Sequence, residues 1–496
     1  MPVRVDVRTS ANLLGRVLTA LAGPLAVLAV VALLYREPVA PFVVPAAGSL
    51  AAGVGLSRLE RDDPGPREAF LLVALAWLSI ALVGAVPFLV AGVGTLADPV
   101  NAVFESMSGI TTTGATVVGS FEIHARSILL WRSVLQWLGG LGILVLAVGV
   151  LSGLSVSGAQ LMETETQNQN VTKLTPRIAR TARLLGGIYA GLTGLLVLVL
   201  LVLRLVGLAP NMTLYNAVAH ALTTVSTAGF SPEAASIGAF SPAVQWVVIV
   251  FMLVGATNFV LIYFVLQGDS SRLRESEEFK FYIGVVAFAA VIVAGVLALD
   301  GQFATTEETV RHALFNVVSI ITTTGYATVD FDTWSTGARH VLFLGMFMGG
   351  MAGSTTCSIK TVRWLVVAKT FRRDLFTAIH PTAVVPVRIS GGAVDEGTIR
   401  DSYVFILASI VLFAALTVFV VADAARAGVE IGEFAAMGAA ASTFLNIGPA
   451  FGFAGPYGSY EGFPVTTKLV MTVMMWIGRI EIVPVLVLFT PSFWRS

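Results

Sequence analysis

Thr111-Thr112-Thr113-Gly114-Ala115 ends a short apolar stretch, and three more such stretches end on Ser226-Thr227-Ala228-Gly229-Phe230, Thr322-Thr323-Thr324-Gly325-Tyr326 and Asn446-Ile447-Gly448-Pro449. None is long enough to cross roughly 30 Å of hydrocarbon, which takes about 20 helical residues. Successive copies lie roughly one hundred residues apart, the mark of an internal repeat. A lone Thr-Thr-Gly reads as an ordinary helix C-cap. Four copies at equivalent places point to a shared structural task.

Around these clusters the chain is apolar on a scale that only lipid explains. Of its 496 residues 56% are hydrophobic and 12% charged, too little polar surface to coat a soluble globule of this size. Long apolar segments run over 13–34, 39–57, 68–92, 127–153, 184–206, 243–267, 279–299, 338–368, 401–423 and 465–489. The first follows Arg4, Arg8 and Arg16, but it is long and no small-residue cleavage site is obvious, so it reads as a helix. The clusters fall between the third and fourth, fifth and sixth, seventh and eighth, and ninth and tenth segments. The predicted fold is therefore an all-α integral membrane protein of about ten transmembrane helices. Two extra helices (1–60) precede four pseudo-repeats of helix, re-entrant pore loop and helix, at 61–160, 161–275, 276–375 and 376–496, around a pseudo-fourfold pore.

Basic residues orient the chain. Lys173, Arg177, Arg180, Arg183, Arg272, Arg274, Lys280, Arg363, Lys369, Arg372, Arg373, Arg388 and Arg400 lie opposite the clusters, against Arg36, Arg126, Arg311, Arg339 and Arg426 on the cluster side. The positive-inside rule then opens the clusters outward and leaves both termini in the cytoplasm.

Non-helical backbone is tolerated at membrane depth only where protein or a water-filled cavity receives its polar groups, so the four loops are expected to face a pathway. Each follows a short helix whose C-terminal end carries partial negative charge, which favours a cation. Loop carbonyls can replace the hydration shell of a large alkali ion, and glycine allows the positive φ such a turn needs. The clusters contain no Asp or Glu, which disfavours a carboxylate ring of the kind calcium selects. Other chemistries find little support. Cys357 is the single cysteine, so no intramolecular disulfide forms, and a formal net charge of +0 gives no sign of nucleic acid. No phosphate-binding loop indicates nucleotide hydrolysis, and Gly353-Ser354-Thr355 has no His or Asp beside it to activate a nucleophile. His124, His220, His312, His340 and His380 lack metal-ligand spacing and are expected at the surface or in caps.

Arg132, Lys360 and Arg479 are charges within spanning segments, which usually face protein or water. Arg479 either pairs with Glu481 or enters the pathway. Lys360 either snorkels to the cytoplasmic side or helps position a gate, and Arg132, near the outer end of its helix, is expected to pack. In the third repeat Gly345, Gly349, Gly350 and Gly353 precede Ser354, Thr355, Thr356, Cys357 and Ser358. Each Gly costs a helix roughly 1 kcal/mol relative to Ala, so a break is expected here, with close helix packing as the alternative.

The chain resembles the Trk/Ktr/HKT superfamily of potassium transporters, and within it the TrkH-type subunit. The resemblance rests on Arg67-Glu68-Ala69-Phe70-Leu71, Phe104-Glu105-Ser106-Met107-Ser108-Gly109, Trp131-Arg132-Ser133, Gln136-Trp137-Leu138-Gly139-Gly140, Gly255-Ala256-Thr257-Asn258-Phe259, Ile359-Lys360 and Gly478-Arg479-Ile480-Glu481, in order along the chain. It implies a potassium filter formed by Thr112, Thr113, Gly114, Thr227, Ala228, Gly229, Thr323, Thr324, Gly325, Asn446, Ile447 and Gly448. It also implies a gate involving Gly349, Gly350, Gly353 and Lys360, with Arg479 as an electrostatic barrier below the filter. Glycine in all four filters goes with potassium preference in the family, whereas serine in the first is associated with sodium-conducting plant relatives. Potassium is the expected substrate, with no covalent cofactor. The same resemblance implies a homodimer in the cell membrane of a prokaryote, and a cytosolic nucleotide-binding regulatory subunit of the TrkA-like kind. A sodium/potassium symporter on the same fold is the alternative. Thr356, Cys357 and Ser358 stand where the family usually has glycines before Ile-Lys, a departure that bears on the flexibility of the gate.

Overall fold

The computed structural model describes residues 5–63, 65–149 and 178–494. Lys173, Arg177, the boundary expected at 160/161 and the last residues of segment 127–153 lie outside the described residues. Apart from a two-stranded hairpin, Arg388–Ile389 with Gly392–Ala393, the regular structure among the described residues is helical.

The helices Val7–Tyr35 and Ala40–Ser57 form the expected N-terminal pair. They touch backbone to backbone: a Cβ at Gly15 or at Gly53 would lie 2.7 Å from the other residue's carbonyl oxygen. Small residues at such a crossing allow close van der Waals packing, the main source of helix association in lipid. Asn12 ties the pair off by donating to the Ser57 and Leu59 carbonyls, both at 2.7 Å.

Among the described residues seven helices are long and apolar enough to span, or eight if one bent pair counts as a single span. About ten were expected; the remaining apolar segments are interrupted. The sixth segment is Pro242–Gly255 followed by Phe259–Leu266, turned by 107°. Asn258 caps the second half by accepting from the Val260 and Leu261 amides, which satisfies donors that the turn would otherwise orphan. The eighth segment is Thr336–Gly345 and Thr361–Ile379, with residues 346–360 irregular between them. The tenth is Val465–Arg479 and Val483–Leu488, broken where Glu481 takes φ 61°.

Four short helices descend between the spanning ones: Pro99–Ile110, Leu214–Val225, Thr306–Ile321 and Glu433–Phe444. Local chemistry starts three of them. Asp98 and Thr213 accept from backbone amides of the first turn, and Thr305 forms a capping box with Glu308. Their C-terminal halves are almost wholly buried, so all four deliver their negative ends into the middle of the protein.

Candidate functional site

After each of these four short helices the backbone repeats one pattern. Thr112, Thr227, Thr323 and Asn446 have φ of 52°, 50°, 52° and 57°. Two residues later Gly114, Gly229, Gly325 and Gly448 have φ of 82°, 80°, 80° and 111°. The left-handed region costs an L-residue about 1–2 kcal/mol, so four matching excursions at non-glycine positions mark a conformation that the surroundings enforce.

The four loops close a ring. A Cβ on Gly114 would fall nearer than 3.0 Å to the Ala228 carbonyl oxygen, one on Gly229 to that of Thr324, and one on Gly325 to that of Ile447. A Cβ on Gly448 would lie 2.8 Å from the Thr113 oxygen, which returns the cycle to the first loop. Each glycine thus faces the carbonyl that precedes the glycine of the next loop, and no side chain fits between them. The twelve residues expected to form the filter come together here.

Side chains around the ring hold it. Gln136 donates to the Ala228 carbonyl at 2.6 Å and accepts from the Phe230 amide at 2.9 Å, gripping the second loop on both sides of Gly229. Tyr460 donates to the Gly448 carbonyl at 2.9 Å, and Asn446 donates to Thr113 Oγ1 at 2.7 Å. Arg132 and Glu105 form a buried ion pair at 2.7 Å. Glu105 also accepts from the Val117 amide and Thr116 Oγ1, and Arg132 reaches the Ser231 carbonyl. This network ties the first loop to the second, so Arg132 packs as expected and carries charge pairing besides. Residue type at 136 and 460 offers no sign of these contacts; only the fold brings them to the ring.

Glycines on the second helices let the pore-helix ends approach. A Cβ at Gly139 would clash with the Ile110 carbonyl, one at Gly478 with that of Phe444, and one at Gly255 would lie 3.1 Å from that of Val225. Gly139 and Gly478 stand in the motifs quoted above, yet their spacing alone does not reveal this task.

Residues 346–360 fold back beneath the ring. Gly349 accommodates the Cys357 carbonyl and Gly350 that of Ala256; a Cβ at either would come nearer than 3.0 Å. Gly353, at φ 72°, turns the segment and accepts from the Phe259 amide. The segment then meets three of the four loops: Thr355 Oγ1 lies 3.0 Å from Thr227 Oγ1, the Cys357 amide donates to Thr323 Oγ1 at 3.0 Å, and Cys357 Sγ lies 3.9 Å from Thr112 Oγ1. Ser358 adopts φ 61°, a conformation natural to glycine, with its hydroxyl bonded to the Met346 carbonyl.

Arg479 comes from the fourth repeat into the same layer. It is 2% exposed and donates to the Thr355 carbonyl (2.9 Å), the Gly139 carbonyl (3.0 Å) and the Cys357 sulfur. The alternative partner, Glu481, pairs with Arg363 at 2.7 Å instead. Lys360 is buried and donates to the Thr356 carbonyl, so it braces the irregular segment and does not snorkel. Two histidines differ from the surface expectation, whereas His340 and His380 are exposed as expected. His220 is fully buried between the Asn216 carbonyl and Ser231 Oγ, and His312 meets Thr328 Oγ1 at 2.8 Å. Both hold the segments that follow the ring glycines.

The family model described as TrkH, cation transport protein, matches residues 50–496. The Trk system potassium uptake protein TrkH of Halomonas elongata is 37% identical over 89% of this chain and 88% of that protein. Its counterpart in Escherichia coli K12 is 33% identical over 99% of both. The crystal structure of the potassium transporter TrkH from Vibrio parahaemolyticus superposes with a TM-score of 0.87 at 31% identity, covering 99% of this chain and 100% of that one.

Proposed function

The chain belongs to the TrkH cation transport protein family, and from that premise we propose that it takes potassium into a prokaryotic cell through the ring of backbone carbonyls at Gly114, Gly229, Gly325 and Gly448. One observation carries this reading: four loops of equal backbone conformation close on one another, each glycine against the next loop's carbonyl. Carbonyl dipoles at such spacing suit a large, weakly hydrated alkali ion, and the pore helices add negative potential from above. The relatives' names, which specify potassium uptake, agree.

Residues 346–360 act as the gate in this reading, with Gly349 and Gly350 as its close-packed points, Gly353 as its turn and Lys360 as its inner brace. Arg479 repels cations that pass the filter, and opening requires its bonds to Thr355 and Cys357 to part. The bent and interrupted segments count as single passages, which makes ten crossings and leaves both termini cytoplasmic. A homodimer in the cell membrane, controlled by a cytosolic nucleotide-binding subunit acting on the basic inner loops, completes the proposal.

Purified chain in planar bilayers tests it. Under a potassium gradient the current should reverse at the potassium equilibrium potential whether or not a sodium or proton gradient is imposed. A reversal potential that follows the sodium gradient as well would mean a symporter, and equal sodium and potassium currents would remove the filter assignment.

A further inference from the structure

Glu278 is fully buried at the start of the helix Glu277–Leu299, and the pore reading gives it no task. Its carboxylate reaches both ends of the inner half of the irregular segment. Oε1 accepts from the Ala352 amide at 2.7 Å and from Thr361 Oγ1 at 3.2 Å. Thr361 in turn closes the base of the segment, because its amide and its hydroxyl both donate to the Gly350 carbonyl at 3.1 Å. A single side chain from the helix Glu277–Leu299 therefore clasps the middle of the segment, at Ala352, to the point where it rejoins regular structure at Thr361.

The preceding residue faces the other way. Glu277 accepts from Lys369 Nζ, on the helix that follows the segment, and from the Ser390 amide at 3.0 Å, in the turn of the hairpin 388–393. Ser390 returns a bond, its Oγ accepting from the Glu277 amide at 3.2 Å, and Lys369 also donates to the Arg388 carbonyl at 2.6 Å. The hairpin is tight: Ser390 and Gly391 both have positive φ, the geometry of a two-residue connection. Glu277 and Lys369 are partly exposed on the basic inner surface, whereas Glu278 is not. Both acids lie in the first helical turn behind the Ser276 cap, where the helix dipole favours carboxylates and holds them in place.

We propose that Glu278 is a positioning residue that latches the gate shut, and that Glu277 couples this latch to the cytosolic hairpin 388–393. Displacement of the hairpin or of Lys369 shifts the first turn of the helix, and the adjacent carboxylate releases the Ala352 amide. A charge-assisted hydrogen bond in a dry site is strong when made and costly when lost, so the latch has two discrete states. The inference rests on the reading of residues 346–360 as the gate.

Cys357, the one thiol in the chain, lies buried inside the segment and serves as a built-in reporter. The test uses full-length chain in proteoliposomes, with Glu278→Gln, Glu278→Ala, Thr361→Val and Lys369→Met. Three quantities are measured: the rate at which a small cationic thiosulfonate labels Cys357, rubidium uptake, and the rubidium-to-sodium ratio. Labelling and uptake should rise together, by about tenfold for Glu278→Ala, at an unchanged ion ratio. Lys369→Met should add little in the Glu278→Ala background. A Glu278→Ala protein that melts like the parent and labels at the parent rate overturns the latch; if that variant does not fold, Thr361→Val decides in the same way. Additive effects of Lys369→Met and Glu278→Ala overturn the coupling. Deleting residues 352–358 separates this inference from its premise. Raised uptake in the deletion with inert Glu278 variants ends the latch alone, whereas a folded deletion that conducts no better than the parent ends the gate reading itself.

Discussion

Replacing Gly114 with Ser perturbs the ring at one identified contact. The new Cβ would fall nearer than 3.0 Å to the Ala228 oxygen, 3.5 Å from the Ala228 carbonyl carbon and 3.6 Å from the Gly448 Cα. The Ala228 carbonyl cannot simply turn away, because Gln136 holds it at 2.6 Å and grips the next residue but one. At φ 82° the substituted residue also meets the left-handed penalty of about 1–2 kcal/mol. If the loop relieves this strain by moving the carbonyl a few tenths of an ångström, the loss falls on the ion whose size the ring matches. A change of about 1.4 kcal/mol in the difference between two ions is tenfold in selectivity. Under bi-ionic potassium and sodium that corresponds to about 59 mV in reversal potential. The assay is current reversal in planar bilayers, with Gly284→Ala as control, since nothing lies within 4 Å of a Cβ there. An unchanged reversal potential in a Gly114→Ser protein that elutes and melts like the parent would refute the assignment of Gly114 to the ring.

Arg479→Ala should raise rubidium uptake and lower the melting temperature, since a positive charge leaves the pathway and three acceptors lose their donor; normal uptake with a large stability loss makes Arg479 a structural brace only. Arg132→Ala strands the buried Glu105 carboxylate and should cost about 3–5 kcal/mol, while Arg132→Met combined with Glu105→Gln should recover much of it, as read by thermal denaturation in detergent. Gly139→Ala drives a methyl group into the Ile110 carbonyl at the end of the first pore helix and should reduce both stability and potassium preference, whereas Gly187→Ala, with open space around it, should alter neither.

Several of these contacts were open to a reader of the residues and several were not. The four clusters could be found because each combines a small set of residue types with a fixed place in a repeat. Their role follows from lipid, which forbids unsatisfied backbone unless a cavity or protein receives it. The break after Gly345 was likewise legible, since glycines and hydroxyl residues accumulate there. Its extent was not: Cys357 and Thr355 meet Thr112 and Thr227, so the length of the irregular stretch depends on partners more than 100 residues away in the chain. Of the two alternatives weighed for Arg479, the pair with Glu481 does not form. Neighbours two apart on a helix point in different directions, and the helix break at Glu481 turns its carboxylate to Arg363.

Hydropathy, the fourfold spacing and the glycine clusters determine by themselves that this is a helical membrane protein with four re-entrant loops, because burial in hydrocarbon and positive φ restrict the choice of residue locally. Only the tertiary structure decides which glycine faces which carbonyl, that Gln136 and Tyr460 hold the ring, and that Glu278 clasps the segment below it. Those choices depend on distances between remote segments, and a polar side chain carries no local mark of the backbone group it will meet.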